Sequence, residues 1–417
     1  MSVDALIEQH GRSDELKEQA LSFQDDAVAL RRSLHRHPEI GNDLPVTREQ
    51  VLQELQGLPL DITLHKTTSG IVALLTGDKP GPTVLLRGDM DALPMPEDTG
   101  LDFASVNKNM MHACGHDTHT SMLVQTARVL AERKADITGR VLFMFQPGEE
   151  GYGGANFMLE EGLLDVPRHS DGSESPITGA FAMHITSAIP VGMVAIKGGS
   201  LMASSDELSI VIRGSGGHAS EPHRTDDPVP IACEIVQALQ TMVTRRIDAF
   251  DPTVVTITKI SAGTAFNVIP ETAKIQGTIR AVSAKTRSKV HQNITRLAEG
   301  IAAAHGMSAE VELNLGYPVT VNDTGFASFA TDVATTILGE GKVSQMPHPV
   351  MGAEDFSYVL ERIPGSMMFL GGTPAGMSPG AAAPNHSNKV MFDEDAMALG
   401  VSIYAGMALR HLGVRLS

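Results

Sequence analysis

The sequence predicts an α/β protein: a mixed-sheet domain interrupted by an inserted α+β domain of the split βαβ, ferredoxin-like kind. Three observations carry this. The chain has 417 residues, more than one hydrophobic core usually serves, so two domains are expected. Short apolar runs end one after another in polar, ligand-competent side chains, as strands of an open α/β sheet do at their carboxyl edge. From about Lys197 the texture changes to alternating strands and two long helical patterns, and it changes back after about residue 315. The expected division is 1–197, an insert at 198–315, and 316–417.

In order, Leu16, Leu21, Phe23, Val28, Leu30 and Leu34 recur at helical spacing, which predicts one helix over 15–36, stopped by Pro38. Residues 70–75 and 83–87 read as strands around a Gly/Pro turn at 77–81, and the second empties into Gly88-Asp89-Met90-Asp91. Residues 111–120 place His112, Cys114, His116, Asp117 and His119 in one short loop, with Gly115 free to bend the backbone, and a helix is expected over 118–133. Residues 141–146 form an unbroken apolar strand of the kind buried on both faces, followed by Pro147-Gly148-Glu149-Glu150-Gly151. Residues 180–183 make another strand, which runs into His184.

The insert reads as strand 208–213, helix 228–246, strands 253–260 and 272–280, helix 284–305 and strand 310–315, a split βαβ pattern. The sheet then resumes with a helix at 324–338, a strand at 367–370, the loop Pro384-Asn385-His386-Ser387 and a closing helix at 393–412.

Composition excludes several function classes. Net charge is −17 without a Lys/Arg run, which argues against nucleic acid or an anionic membrane as partner. No apolar run approaches the roughly 18 residues of a spanning helix. Asp4, Glu8, Asp14, Glu15, Asp25 and Asp26 stand where a signal peptide would be basic and then apolar, so a cytoplasmic protein is expected. Two cysteines far apart predict no disulfide, and Cys233, in an apolar helical pattern, is expected in the core.

Cys114, His116, Glu150, His184 and His386 form a candidate two-metal set. Thiolate and imidazole suit a borderline or soft cation such as zinc; a thiolate can bridge two cations, and a bound water would have its pKa lowered toward about 7. Glu149, beside the ligand Glu150, is free to take that water's proton and pass it to a leaving amine. Asp89 or Asp91 is placed to hydrogen-bond a ligand imidazole. Two other readings stand beside this one. Cys114 with His116 could be a nucleophilic pair, or the chain could be a non-catalytic metal-containing protein that binds a small molecule.

Arg87-Gly88-Asp89-Met90-Asp91-Ala92-Leu93-Pro94, the 111–120 loop, Phe145-Gln146-Pro147-Gly148-Glu149-Glu150-Gly151, Gly216-Gly217-His218-Ala219-Ser220, Gly352-Ala353-Glu354-Asp355-Phe356 and Asn385-His386-Ser387 resemble the motifs of the M20 family of di-metal hydrolases. The likeness is to its amidohydrolase branch of hippurate hydrolases, aminoacylases and auxin-conjugate hydrolases, and it spans nearly the whole chain. It implies an N-acyl or N-aroyl amino acid, or a related small amide, as substrate. It also implies two divalent ions (Zn, Mn, Ni or Co), the five ligands above with Cys114 as bridge, and Glu149 as base. The insert is then a lid and dimerisation domain on a catalytic domain, and the protein a homodimer or higher homo-oligomer. His218 matches a histidine that reaches across the dimer to polarise the scissile carbonyl; Asn267 and Arg280 are candidates for the substrate carboxylate; Asp89 joins the catalytic set. Gly148 stands where the family more often has Ala, Ala353 where it often has Ser, and the segment after His184 lacks the expected aromatic residue.

Overall fold

The computed structural model describes residues 12–416. Asp4 and Glu8 of the acidic leader lie outside the described residues. The chain divides into two compact units. The first takes the described residues up to Gly199 with Val321–His348 and Tyr358 onward; the second takes Ser200–Thr320 and Pro349–Ser357. The sequence reading had kept 349–357 with the closing part of the chain.

The first unit is built on an eight-stranded mixed sheet in the order Leu60–Leu64, Ile71–Thr76, Thr138–Gln146, Lys79–Asp89, Ile177–Thr186, Gly365–Gly371, Val194–Ile196, Val343–Gln345. Its centre is parallel: Lys79–Asp89 pairs in parallel with strands on both sides, and Gly365–Gly371 with Ile177–Thr186. Central parallel strands are covered on both faces, which explains the unbroken apolar run at 141–146, where Val141, Phe143, Met144 and Phe145 are fully buried. Each such side chain contributes about 1.5–3 kcal/mol of burial. The helix His116–Glu132 is buried over most of its length. The helix Ala396–His411 is equally enclosed, and its Tyr404 hydroxyl donates to the Arg87 carbonyl (2.7 Å) while accepting from the Met183 N–H (2.9 Å), pinning two parallel strands to one side chain.

Two expectations need correction, and two elements were not foreseen. The single helix over 15–36 is two, Arg12–Ser22 and Gln24–Arg36. Ser22 turns its hydroxyl back onto the Gln19 carbonyl and Phe23 leaves helical geometry, a local competition that apolar spacing does not register. The helix Pro45–Leu55 and the exposed strand Leu60–Leu64 carried too weak a pattern to be read. Cys233 is exposed: on the helix Pro228–Arg246 the buried face is Ile231, Ile235, Leu239 and Met242, and Cys233 points off it.

In the second unit an antiparallel sheet runs Thr253–Ala262, Thr272–Ala281, Asp206–Arg213, Ser308–Leu315, the 2-3-1-4 order of a split βαβ fold. Alternation along Asp206–Arg213 turns Leu208, Ile210 and Ile212 to one face, where Pro228–Arg246 and Ala284–Ala304 cover them. Each helix starts at a side-chain cap: Asp227 accepts from the Val229 N–H and Ser283 from the Thr286 N–H.

Candidate metal centre

The five proposed ligands are delivered by separate segments at the carboxyl edge of the first unit's sheet. Gly115 has φ +90°, and a Cβ there would collide with Ile185, so only glycine lets Cys114 and His116 turn inward together. His116 opens its helix and donates Nδ1–H to the Asp91 carbonyl (2.8 Å), which leaves Nε2 as the nitrogen that can bind a cation. His184, near the end of Ile177–Thr186, donates Nδ1–H to the Ile185 carbonyl (2.7 Å), and its Nε2 accepts from the Cys114 thiol (3.3 Å). His386 adopts φ +68°, a conformation uncommon outside glycine, held by its N–H on the Ala113 carbonyl (2.8 Å). Its Nε2 lies 3.1 Å from the Cys114 sulfur and 3.3 Å from Glu150 Oε1.

Glu149 and Glu150 are held by their backbone. Asp91 accepts the Glu149 N–H on one oxygen (2.9 Å) and the Glu150 N–H on the other (3.0 Å). Gly148 bends the chain at φ +66°, where an alanine would be strained and its Cβ would displace the Asn42 side chain, so glycine in place of alanine suits this turn. Glu149 is buried, with Oε2 3.9 Å from His116 Nε2.

The donors fit a pair of cations. Two triads have all their ligand atoms within 4.8 Å of one another, Cys114 with His116 and His184, and Cys114 with Glu150 and His386, and Cys114 is common to both. Buried His116 Nε2 and Glu150 Oε1 make no hydrogen bond of good geometry and have ion-pair contacts, to Asp89 (3.3 Å) and His386 (3.3 Å) respectively, although polar atoms so enclosed are almost always satisfied. Burial alone would lower the His116 pKa, yet Asp89, Asp91 and Glu150 raise it to about 10, so without a cation Nε2 carries a proton that a bound cation would displace. Burial, then the carboxylates of Glu150, Glu149 and Asp89, push the Cys114 thiol well up. A site so rich in negative charge favours a bound cation.

Around the ligands stand Asp89, expected beside a ligand imidazole, and residues to which sequence spacing assigned no role at the site. Asp89 is fully buried, its oxygens taken by Arg87 Nη1 (2.6 Å) and His119 Nδ1 (2.6 Å), with His116 Nε2 at 3.3 Å. His119 accepts the Ile185 N–H at Nε2 (2.7 Å), and its ring centroid lies 4.9 Å from that of His184. Asp117 bonds Arg31 and His35 instead of a ligand. His112 is enclosed without a hydrogen bond at either nitrogen, and burial drives its pKa down to about 3. For His119, one turn after His116 on the same helix, the helical spacing was the available signal.

His218, Asn267 and Arg280 belong to the second unit. His218 pairs with Val268 in a two-stranded ribbon, and the Ala219 N–H donates to the Asn267 carbonyl, so both candidates sit on one exposed ribbon whose two strands are far apart in the chain. The Ser220 N–H and hydroxyl address His218 Nδ1. Arg280 is half-buried at the end of its strand, and among the described residues its guanidinium makes no hydrogen bond or salt bridge. It lines a cavity of about 490 Å³ with Ser205, Ser209, Gln276, Thr278 and Asn314 on the face of the sheet away from the helices.

The sequence profile of Peptidase family M20/M25/M40 matches residues 85–410. The chain belongs to that family. This M20 chain is therefore an enzyme, a hydrolase acting on amide bonds. It is 37% identical to thermostable carboxypeptidase 1 of Saccharolobus solfataricus over 95% of this chain and 98% of the relative. It is 37% identical to N-acetylcysteine deacetylase of Bacillus subtilis over 93% of this chain and 97% of the relative. Among solved structures it resembles the Bacillus subtilis YXEP protein, described as a dinuclear metal-binding peptidase of the M20 family. The TM-score there is 0.79 at 33% identity, covering 94% of this chain and 99% of that one.

Proposed function

We propose that this M20 enzyme is a di-metal amidohydrolase that cleaves the amide bond of an N-acyl or N-aroyl amino acid or a related small amide. The observation that carries the reading is the sharing of Cys114 between two ligand triads. Cys114, His116, Glu150, His184 and His386 would hold the ions, with zinc, manganese, cobalt or nickel all compatible with thiolate, imidazole and carboxylate. When bound, such ions polarise the amide carbonyl and lower the pKa of water toward about 7.

The chain's own residues do the rest. Glu149, buried beside His116, accepts a proton from the attacking water at its carboxylate and returns it to the departing amine nitrogen. Asp91 fixes Glu149 and Glu150 through their N–H groups, and Asp89 orients His119 and Arg87, so Asp89 acts by positioning. Arg280, half-buried and free of salt bridges, suits the substrate carboxylate through its planar fork, with Asn267, which lies beyond the far end of the same strand and beside His218, as a second polar contact from the other copy.

We assign the lid and dimerisation roles to the second unit, with His218 of one copy reaching the other copy's substrate. Exposed His218, Asn267 and Phe266, brought together on one two-stranded ribbon, support this. No described helix is long and apolar enough to cross a membrane, and the cytoplasm remains the proposed location.

The nucleophilic-cysteine alternative is disfavoured by burial. A reactive cysteine needs a depressed pKa, and that of Cys114 is pushed up. Chelation tests the proposal. Activity on acetyl, benzoyl and indole-acetyl amino acids, followed by amine release, is expected to vanish with a chelator and return with Mn²⁺, Zn²⁺, Co²⁺ or Ni²⁺. Activity that survives removal of metal sinks it.

A further inference from the structure

The backbone at Ile185 is gripped from both sides. Its N–H donates to His119 Nε2 (2.7 Å), and His119 in turn donates Nδ1–H to Asp89 (2.6 Å). Its carbonyl accepts from His184 Nδ1 (2.7 Å) and from the side-chain amide of Asn385 (3.0 Å). The second hydrogen of that amide goes to the Cys114 carbonyl (3.2 Å), and the Asn385 oxygen accepts the Ser187 N–H (3.3 Å). One half-buried side chain thus ties the Cys114 loop to the segment after His184, and it immediately precedes His386. Its orientation is over-determined: turned over, the amide would set its oxygen against two carbonyls and its hydrogens against an N–H.

We propose that Asn385 is a positioning residue that sets the relative placement of Cys114, His184 and His386. This rests on the di-metal reading above. Cys114 and His184 lie 70 residues apart in the chain, and Cys114 and His386 lie 272 apart, so no local structure fixes their spacing. The left-handed turn at His386 adds to the need, because a strained residue holds its conformation only where its surroundings dictate it. The Asn385 amide supplies that restraint by reaching two of the three ligand segments and adjoining the third.

The test compares Asn385→Ala with Asn385→Asp. Aspartate has nearly the shape of asparagine and keeps the acceptor for Ser187, yet it turns both donated bonds into contacts between oxygens. A residue that merely fills space would tolerate Asp better than Ala, whereas a clamp predicts the reverse order. Co²⁺ affinity, by competition with a chelator, is expected to fall about 10–100-fold in the Asp variant and less in the Ala variant, with a changed thiolate-to-cobalt absorption band. In metal-free protein, hydrogen exchange at the Ile185 amide is expected to quicken in the same order.

Unchanged exchange, affinities within about twofold of wild type, or Asp binding as well as Ala, would each overturn the clamp. Wild-type protein that takes up no Co²⁺ would instead overturn the di-metal reading, and the exchange measurement would still decide the clamp.

Discussion

Two buried carboxylate sites, one in each unit, use similar residues to opposite ends. In the second unit Asp206 is fully enclosed and fully answered: Arg287 holds both oxygens, His291 Nε2 lies at 2.8 Å and the Gly316 N–H at 3.2 Å. In the first, Asp89 and Asp91 are as deeply buried and as well bonded, but the groups they hold in place, His116 Nε2 and Glu150 Oε1, have ion-pair contacts and no hydrogen bond of good geometry. A satisfied cluster braces the fold. A cluster whose bonded members aim incompletely satisfied donor atoms at one point is built for a ligand, and those atoms mark the difference more clearly than the count of charges does.

The comparison can be broken most forcefully at Glu149. Glu149→Gln is expected to lower kcat by about 10²–10⁴-fold, the range of a lost general base, while metal content stays at the wild-type level. Loss of metal in that variant would mean that Glu149 belongs with the ligands.

Asp206→Ala is the matching change on the braced side. It strands Arg287, and breaking a buried pair is expected to destabilise the protein by about 3–5 kcal/mol in urea denaturation, with metal content per folded chain unaltered. A stable variant that loses metal would erase the distinction drawn here.

A third cluster sharpens it. His35 bridges Asp117 (2.8 Å) and Glu97 (3.2 Å), and although burial lowers its pKa, Asp117 and then Glu97 raise it to about 9. A raised folded pKa stabilises the protein fully below the unfolded value near 6.5, and that stability is lost as pH climbs through 9. His35→Gln should therefore show a pH-dependent deficit of about 3 kcal/mol below pH 6.5, fading above pH 9. A deficit that is flat with pH would show that His35 is neutral in the folded protein.

Much of the fold was legible because burial writes periodicity into sequence. The apolar run at 141–146 and the alternation at 208–213 both announced their strands. The candidate ligands were legible for a different reason: Cys114, His116 and Glu150 stand in dense polar loops after apolar runs. What stayed hidden depends on which segments meet. Asp91 looked interchangeable with Asp89 until the Glu149 and Glu150 N–H groups were seen on it, and Asn385 was an ordinary loop amide until two distant carbonyls came within its reach. Cys233 was misread because an apolar stretch of helix still has an outward side.

The sharing of Cys114 between two triads also sets an order in time. The last contributor, His386, is 272 residues further along the chain, so at about 5–20 residues per second of synthesis it emerges roughly 14–54 s after the cysteine. The strand Gly365–Gly371, which pairs with Ile177–Thr186, arrives almost as late. During that interval the thiol stands without the imidazole and the neighbouring strand that complete its surroundings. A nascent chain of this enzyme therefore holds the Cys114 thiol well before the His386 imidazole exists to stand beside it.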